Sequence, residues 1–207
     1  MKPGYSAVEY EYSNPDLGHT HVYLLPSLKK FLSSVKPDRV FELGCGNGAV
    51  AAWMSKLDIE VTAIDYSETG VRQANLAHPQ LRVEVGSAYD DLEEKYGKYP
   101  VVVSLEVIEH LYEPRKLAEN LFNLLQSDGY AFISTPYHGY LKNLALAVTG
   151  KMDAHFTALW DGGHIKFFSL RSLEAILTEA GFVDIRFLRV GRIPMLAKSM
   201  VAIARKP

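Results

Sequence analysis

The sequence predicts an α/β domain built on a mostly parallel sheet with crossover helices, and three observations carry that expectation. Strand-like apolar segments alternate with helical ones along the 207 residues, the pattern that pairs strands in parallel and returns the chain through helices. The stretch Arg39-Val40-Phe41-Glu42-Leu43-Gly44-Cys45-Gly46-Asn47-Gly48 runs from a buried strand into a glycine turn and a helix start. The segment Ile59 to Asp65 reads as a second strand ending in a carboxylate, which stands seventeen residues beyond Gly48.

Taken in order, strands are expected near 38–43, 59–65, 81–86, 100–105, 129–135, 182–190 and 199–205. Helices are expected near 21–35, 48–57, 67–77, 114–126, 140–149 and 169–180, with Ser169 as a start signal and Gly181 as a stop. The last two strands read as a returning pair. There is no internal repeat and no low-complexity segment, and 48% hydrophobic content over 207 residues suffices for one sizeable core. The whole chain, 1–207, is therefore read as a single domain.

The glycine turn carries the chemistry. Gly44, Gly46 and Gly48 admit backbone angles closed to other residues and let a ligand lie against the main chain. The helix that follows offers free amides to an anionic group. Asp65, at the carboxyl end of its strand, suits the two hydroxyls of a ribose; the plainer alternative is that it caps the helix beginning near Ser67. Two spacings coexist: G-x-G-x-x-A (Gly44, Gly46, Ala49), which fits a dinucleotide, and G-x-G-x-G with Glu42 just before the turn. A carboxylate there repels a pyrophosphate and attracts an ammonium or sulfonium, which favours S-adenosylmethionine over NAD.

These residues resemble the class I S-adenosylmethionine-dependent methyltransferases, and within them the branch of the ubiquinone-biosynthesis O-methyltransferases. The likeness spans roughly residues 19 to 205. It rests on Phe41 to Gly48, on the strand ending at Asp65, on Val101 to Leu111 (VVVSLEVIEHL) and on Gly129 to Pro136 (GYAFISTP). The resemblance implies a Rossmann-like, seven-stranded, mostly parallel sheet with an antiparallel final strand, helices on both faces, an N-terminal helical segment over 1–36 and a helical cap insertion over 137–168.

It also implies site roles. Gly44, Cys45, Gly46 and Gly48 would line the methionine part of the cofactor, with Glu42 at its ammonium and Asp65 at its ribose. Tyr66 would lie beside the ribose or adenine, Ser87 and Ala88 at the adenine edge, and Leu105 and Glu106 beneath the sulfonium. Two departures stand out: the family more often has Asp where this chain has Glu42, and Gly86-Ser87-Ala88-Tyr89-Asp90 lacks an acid where many members place one. Either Ser87 substitutes there or Asp90 reaches back.

The segment Tyr137 to His164 is the longest interruption and mixes an apolar helix with histidines, tyrosines and a tryptophan, which suits a cover over an organic acceptor. A plain surface helix completing the core, or an apolar contact through Leu141, Leu144 and Val148, are the alternatives. Among the seven histidines, His138 and His164 lead as candidate general bases because they lie in the cap, and His110 follows the strand that ends near Glu106. The pairs Asp153-x-His155 and Asp161-x-x-His164 lack a compelling ligand spacing, so no metal is assigned.

Composition narrows the partners. A formal net charge of −2 gives no general attraction to nucleic acid. A single cysteine, Cys45, rules out an internal disulfide. Residues 1–9 have no apolar stretch of signal-peptide length, and no run approaches the roughly 18 apolar residues of a spanning helix. The expectation is a cytoplasmic enzyme without an integral membrane segment that acts on a small-molecule acceptor, most simply at a hydroxyl oxygen, with its oligomeric state open. The alternatives are an NAD-dependent oxidoreductase and a non-catalytic cofactor-binding protein.

Overall fold

A computed structural model describes Tyr12 and residues 14–207; the remainder of the expected 1–36 segment, including the stretch 1–9 read for a leader, lies outside the described residues. Seven strands form one sheet in the order β3-β2-β1-β4-β5-β7-β6. They are β1 (Arg39–Leu43), β2 (Glu60–Asp65), β3 (Arg82–Val85), β4 (Tyr99–Leu105), β5 (Leu125–Pro136), β6 (Val183–Val190) and β7 (Ser199–Arg205). β1 to β5 pair in parallel, whereas β7 runs antiparallel to both β5 and β6, as the sequence predicts.

Helices cover both faces. One apolar layer joins Val40, Val61, Val101, Val103 and Phe132 of the sheet to α1 (His21–Val35), α2 (Ala49–Ser55) and α3 (Glu68–Ala77) through Leu24, Leu28, Val50, Met54 and Val71. The other joins Phe41, Ile64, Val102 and Ile133 to α4 (Leu92–Tyr96), α5 (Pro114–Asn123) and α8 (Leu170–Glu179) through Leu92, Leu117, Leu121 and Leu173. Burial on two sides is why the central strands read as continuous apolar runs rather than alternating ones. Glu42, which is buried, interrupts the run on β1.

Local signals set the ends of several helices. Ser67 accepts the Gly70 amide at 3.1 Å to start α3. Ser169 and Ser172 form a reciprocal capping pair at the start of α8, and Gly181 follows that helix at φ +102°. Two boundaries differ from expectation. The helix expected over 114–126 ends at Asn123, and β5 begins at Leu125 rather than at 129. Leu124 and Leu125 extend the helical apolar pattern, but Leu125 pairs with Tyr99 across the sheet instead. Two five-residue helices, α4 and α7 (Met152–Phe156), and a 3₁₀ turn at Ile108–His110 were not anticipated, being too short to show a helical period.

The topology brings the carboxyl ends of β1, β2, β3, β4 and β5 to one edge, with the strand order reversing between β1 and β4. That reversal opens the crevice in which ligands of open α/β sheets bind. The expected cap, α6 (Tyr140–Val148) and α7, follows β5 at that edge. α6 does not complete the core: its only buried residue is Lys142, and Tyr140 and Val148 are exposed.

Candidate active site

The glycine turn begins where β1 ends. The Gly44 and Cys45 amides donate to the Ile64 carbonyl at 2.8 and 3.0 Å, which anchors the turn to β2. Gly44 has φ +84°, and a Cβ there would collide with the Val107 side chain, so the turn and the segment after β4 meet across a gap that only glycine leaves open. Gly48, at φ +73°, stands at the N-cap of α2, and a Cβ on it would lie 2.6 Å from the Ala74 Cβ of α3. Both positions demand glycine for conformation and for space.

Asp65 closes the turn from the other side. One carboxylate oxygen accepts the Gly46 amide at 2.7 Å and the other the Ser67 amide at 2.8 Å. Burial pushes the carboxyl up, and the amides of Ser67, Gly46 and Tyr66 oppose that shift. The capping alternative therefore accounts for one oxygen only, since Ser67 itself caps α3. Tyr66 beside it is exposed.

Glu42 is buried to 2% exposure beneath the turn, and its Oε2 has no hydrogen-bond partner. Burial first, then the Asp65 charge, push it up to about 8, with the Ala51 amide opposing. An orphaned carboxyl oxygen beside a second acid is an unfavourable arrangement that a cationic ligand group would relieve. Cys45 is buried, and burial with two nearby acids drives its thiol well up, so it fills the loop as a neutral thiol.

The loop after β3 is held by Asp90 rather than by an acid turned toward the crevice. Asp90 accepts the Ser87 amide at 2.9 Å, and Asn120 donates to the Ala88 and Asp90 carbonyls at 2.7 and 3.0 Å. Leu105 is buried. Glu106 has φ +55° and turns its carboxylate inward, where it accepts from the Ser134 and Ser199 hydroxyls at 2.7 and 3.2 Å. Burial pushes it up to about 7.

One residue that the sequence reading did not single out joins this edge. Glu109, in the 3₁₀ turn, is 1% exposed. Its Oε2 accepts from Thr135 Oγ1 at 3.0 Å, while Oε1 has no hydrogen-bond partner and lies 4.0 Å from His164 Nε2. Burial and then Glu106 drive it well above the usual carboxylate range. Its ligand-type atoms, with those of His110 and His164, lie within 4.8 Å of one another. The signal was available: Glu109 and His110 are adjacent in the quoted VIEHL string, but His164 comes from the cap, and nothing in linear spacing joins them. The pairs Asp153-x-His155 and Asp161-x-x-His164 do not form such a group among the described residues.

The three histidine candidates separate. His110 and His164 pack edge to face at 4.9 Å, beside Trp160, and His110 Nδ1 lies 3.1 Å from the Gly162 carbonyl. His138 sits apart, stacked on Phe156 and edge-on to Phe167, with its Nδ1 unpartnered. Burial is the main cause that lowers all three, His138 and His164 to about 4, so these rings are neutral at pH 7. His138 and His164 line a cavity of about 450 Å³ beneath α6 and α7, together with Pro136, Leu146 and Phe167.

Residues 16–186 match the family described as a methyltransferase domain. The chain is 33% identical over 125 residues to the ubiquinone biosynthesis O-methyltransferase of Caulobacter vibrioides, covering 58% of this chain and 48% of that protein. It is 26% identical over 184 residues to the protein of the same name from Rickettsia canadensis, covering 86% of this chain and 75% of the relative. The chain spans about half the length of the first of these curated relatives. Among solved structures, the magnesium protoporphyrin IX methyltransferase of Synechocystis, with bound S-adenosylhomocysteine, superposes with a TM-score of 0.69 at 18% identity, covering 89% of this chain and 82% of that one. An S-adenosylmethionine-dependent methyltransferase from Archaeoglobus fulgidus gives 0.69 at 18% identity, over 88% and 93%. With a strand order, glycine turn and Asp65 contact of this kind, the chain belongs to the methyltransferase-domain family and has the class I S-adenosylmethionine-dependent fold.

Proposed function

We propose that the protein transfers the methyl group of S-adenosylmethionine to a hydroxyl oxygen of a small organic acceptor seated beneath the cap. The observation that carries the oxygen assignment is the buried Glu109 carboxyl with its free oxygen 4.0 Å from the neutral His164 ring, which lines the cap cavity and can accept a proton there. The names of the relatives, O-methyltransferases of ubiquinone biosynthesis, support the same acceptor atom.

When bound, S-adenosylmethionine supplies an electrophilic methyl on a sulfonium. The residues around it then have separable tasks. Glu42 would hold the ammonium, and Asp65 would accept from the ribose while holding the turn. Leu105 and the inward-turned Glu106 would form the floor, and Ser87 and Ala88 would border the adenine. Fixing the acceptor oxygen in line with the methyl carbon is the largest contribution asked of the site. On methyl transfer the C–S bonding electrons would stay on sulfur, and the hydroxyl proton would pass to His164 beside Glu109. His110 holds the His164 ring from the other side, and His138 lines the acceptor cavity.

A second reading concerns the same three groups. Their donor atoms lie within 4.8 Å of one another, with a buried carboxylate and two neutral imidazoles, a set suited to a divalent cation that would polarise the acceptor hydroxyl. The test is transfer of labelled methyl from S-adenosylmethionine to catechol-type acceptors, for the wild type, Glu109→Gln and His164→Ala. The proposal expects both variants to lose at least tenfold in kcat with cofactor binding retained. Unchanged kcat in both would overturn it.

A further inference from the structure

The cap cavity is cationic. Its lining includes Lys142, Lys151, Arg192 and Lys198, and no Asp or Glu. Among the described residues none of these four forms an ion pair with a carboxylate. Burial and the neighbouring cations hold His138 and His155 down, so these two add no charge at neutral pH.

Lys142 is the informative member. α6 leaves Tyr140, Leu141, Leu144 and Val148 exposed and buries its lysine, the reverse of what apolar burial alone would select. The ammonium donates to the Tyr137 carbonyl at 2.7 Å and lies 3.5 Å from the Lys198 carbonyl. Two carbonyls satisfy protons without cancelling charge, and Glu106, whose charge favours the ammonium, makes no ion pair with it and is held instead by the Ser134 and Ser199 hydroxyls. Burial and then Arg192 pull its amine down to about 8 while Glu106 opposes them, so the two cations are close enough to repel. A ligand anion would remove that repulsion.

We propose that the methyl acceptor carries an anionic group, a carboxylate or a phosphate, held in this cavity by Lys142, Arg192, Lys151 and Lys198. The inference rests on the methyltransferase reading and deepens it. Pro136, Leu146, Phe167 and Leu196 supply apolar surface for the carbon skeleton. His164, which both lines the cavity and faces Glu109, marks the end where the hydroxyl belongs. A volume of about 450 Å³ is in the range of sites that enclose a small organic ligand.

The test is equilibrium binding in the presence of S-adenosylhomocysteine, with three matched probes: 3,4-dihydroxybenzoate, 3,4-dihydroxybenzylphosphonate and the neutral 3,4-dihydroxybenzamide. At least one anion should bind tenfold or more tightly than the amide, and the advantage should shrink as salt rises. Which of the two binds more tightly distinguishes carboxylate from phosphate. The Lys151→Met/Arg192→Met double variant, altered at two exposed positions, should lose that preference while binding S-adenosylhomocysteine as the wild type does. Lys56→Met, outside the cavity, should keep it. Equal binding of all three probes, no measurable binding of either anion, or an undiminished preference in the double variant would overturn the proposal while leaving the cofactor assignment standing. Failure of S-adenosylhomocysteine itself to bind would overturn both.

Discussion

The Asp65 carboxylate accepts the Gly46 amide at 2.7 Å, so the acid expected at the ribose also fixes the turn that shapes the cofactor site. Asp65→Ala should lower stability by about 1–3 kcal/mol, since the Gly46 and Ser67 amides lose their acceptor, whereas Asp65→Asn should recover much of that loss. Thermal unfolding of the three proteins checks this ordering.

Glu42 predicts a trade between stability and binding. Its folded-state carboxyl is raised to about 8 from 4.5, so the folded protein holds a proton that the unfolded chain has released. Stability of the ligand-free protein therefore falls as pH rises from about 5 to 8. Glu106, raised to about 7, titrates in the same direction. Glu42→Gln should flatten part of that slope and stabilise the empty protein at pH 8 by about 2 kcal/mol, while weakening S-adenosylmethionine binding at least tenfold. Denaturant unfolding across pH, paired with calorimetry, reads both effects; a Gln variant that is less stable at pH 8 would contradict the assignment.

Gly44 should be intolerant of even one methyl group. Gly44→Ala combines a left-handed backbone with a collision against Val107, for a cost of about 2–4 kcal/mol. Adding Val107→Ala should restore the portion due to the collision and leave the backbone portion, a split that a double-mutant cycle measures.

Glu109 sets a pH dependence for the reaction. Because burial and Glu106 raise its carboxyl, proton removal by this group grows as pH rises, and kcat should keep climbing above the usual carboxylate range. Glu109→Gln should flatten that rise. If a divalent cation occupies the Glu109, His110 and His164 group, binding it displaces the proton; added Mg²⁺ or Zn²⁺ then moves the rise to lower pH, and chelation reverses the shift.

The α/β frame was legible because its signals are local: apolar strands, Ser169 before α8, Gly181 after it, and three glycines followed at fixed distance by Asp65. Where the pattern misled, a sheet contact overrode a helical period, as Leu125 did by pairing with Tyr99. The crevice edge follows from the order of short segments, so Glu42, Gly44 and Asp65 could be placed around one turn before any geometry was known. The acceptor side could not. Glu109 meets His164 across 55 positions of chain, and the burial of Lys142 on an otherwise exposed helix depends on where the cap folds back.

The most direct test of the central claim is calorimetric titration of the wild type and Asp65→Ala with S-adenosylhomocysteine and with NAD. One S-adenosylhomocysteine should bind per chain, with affinity at least tenfold weaker in the variant, and NAD should not bind. Binding of NAD alone, or S-adenosylhomocysteine binding that is indifferent to Asp65, would contradict it.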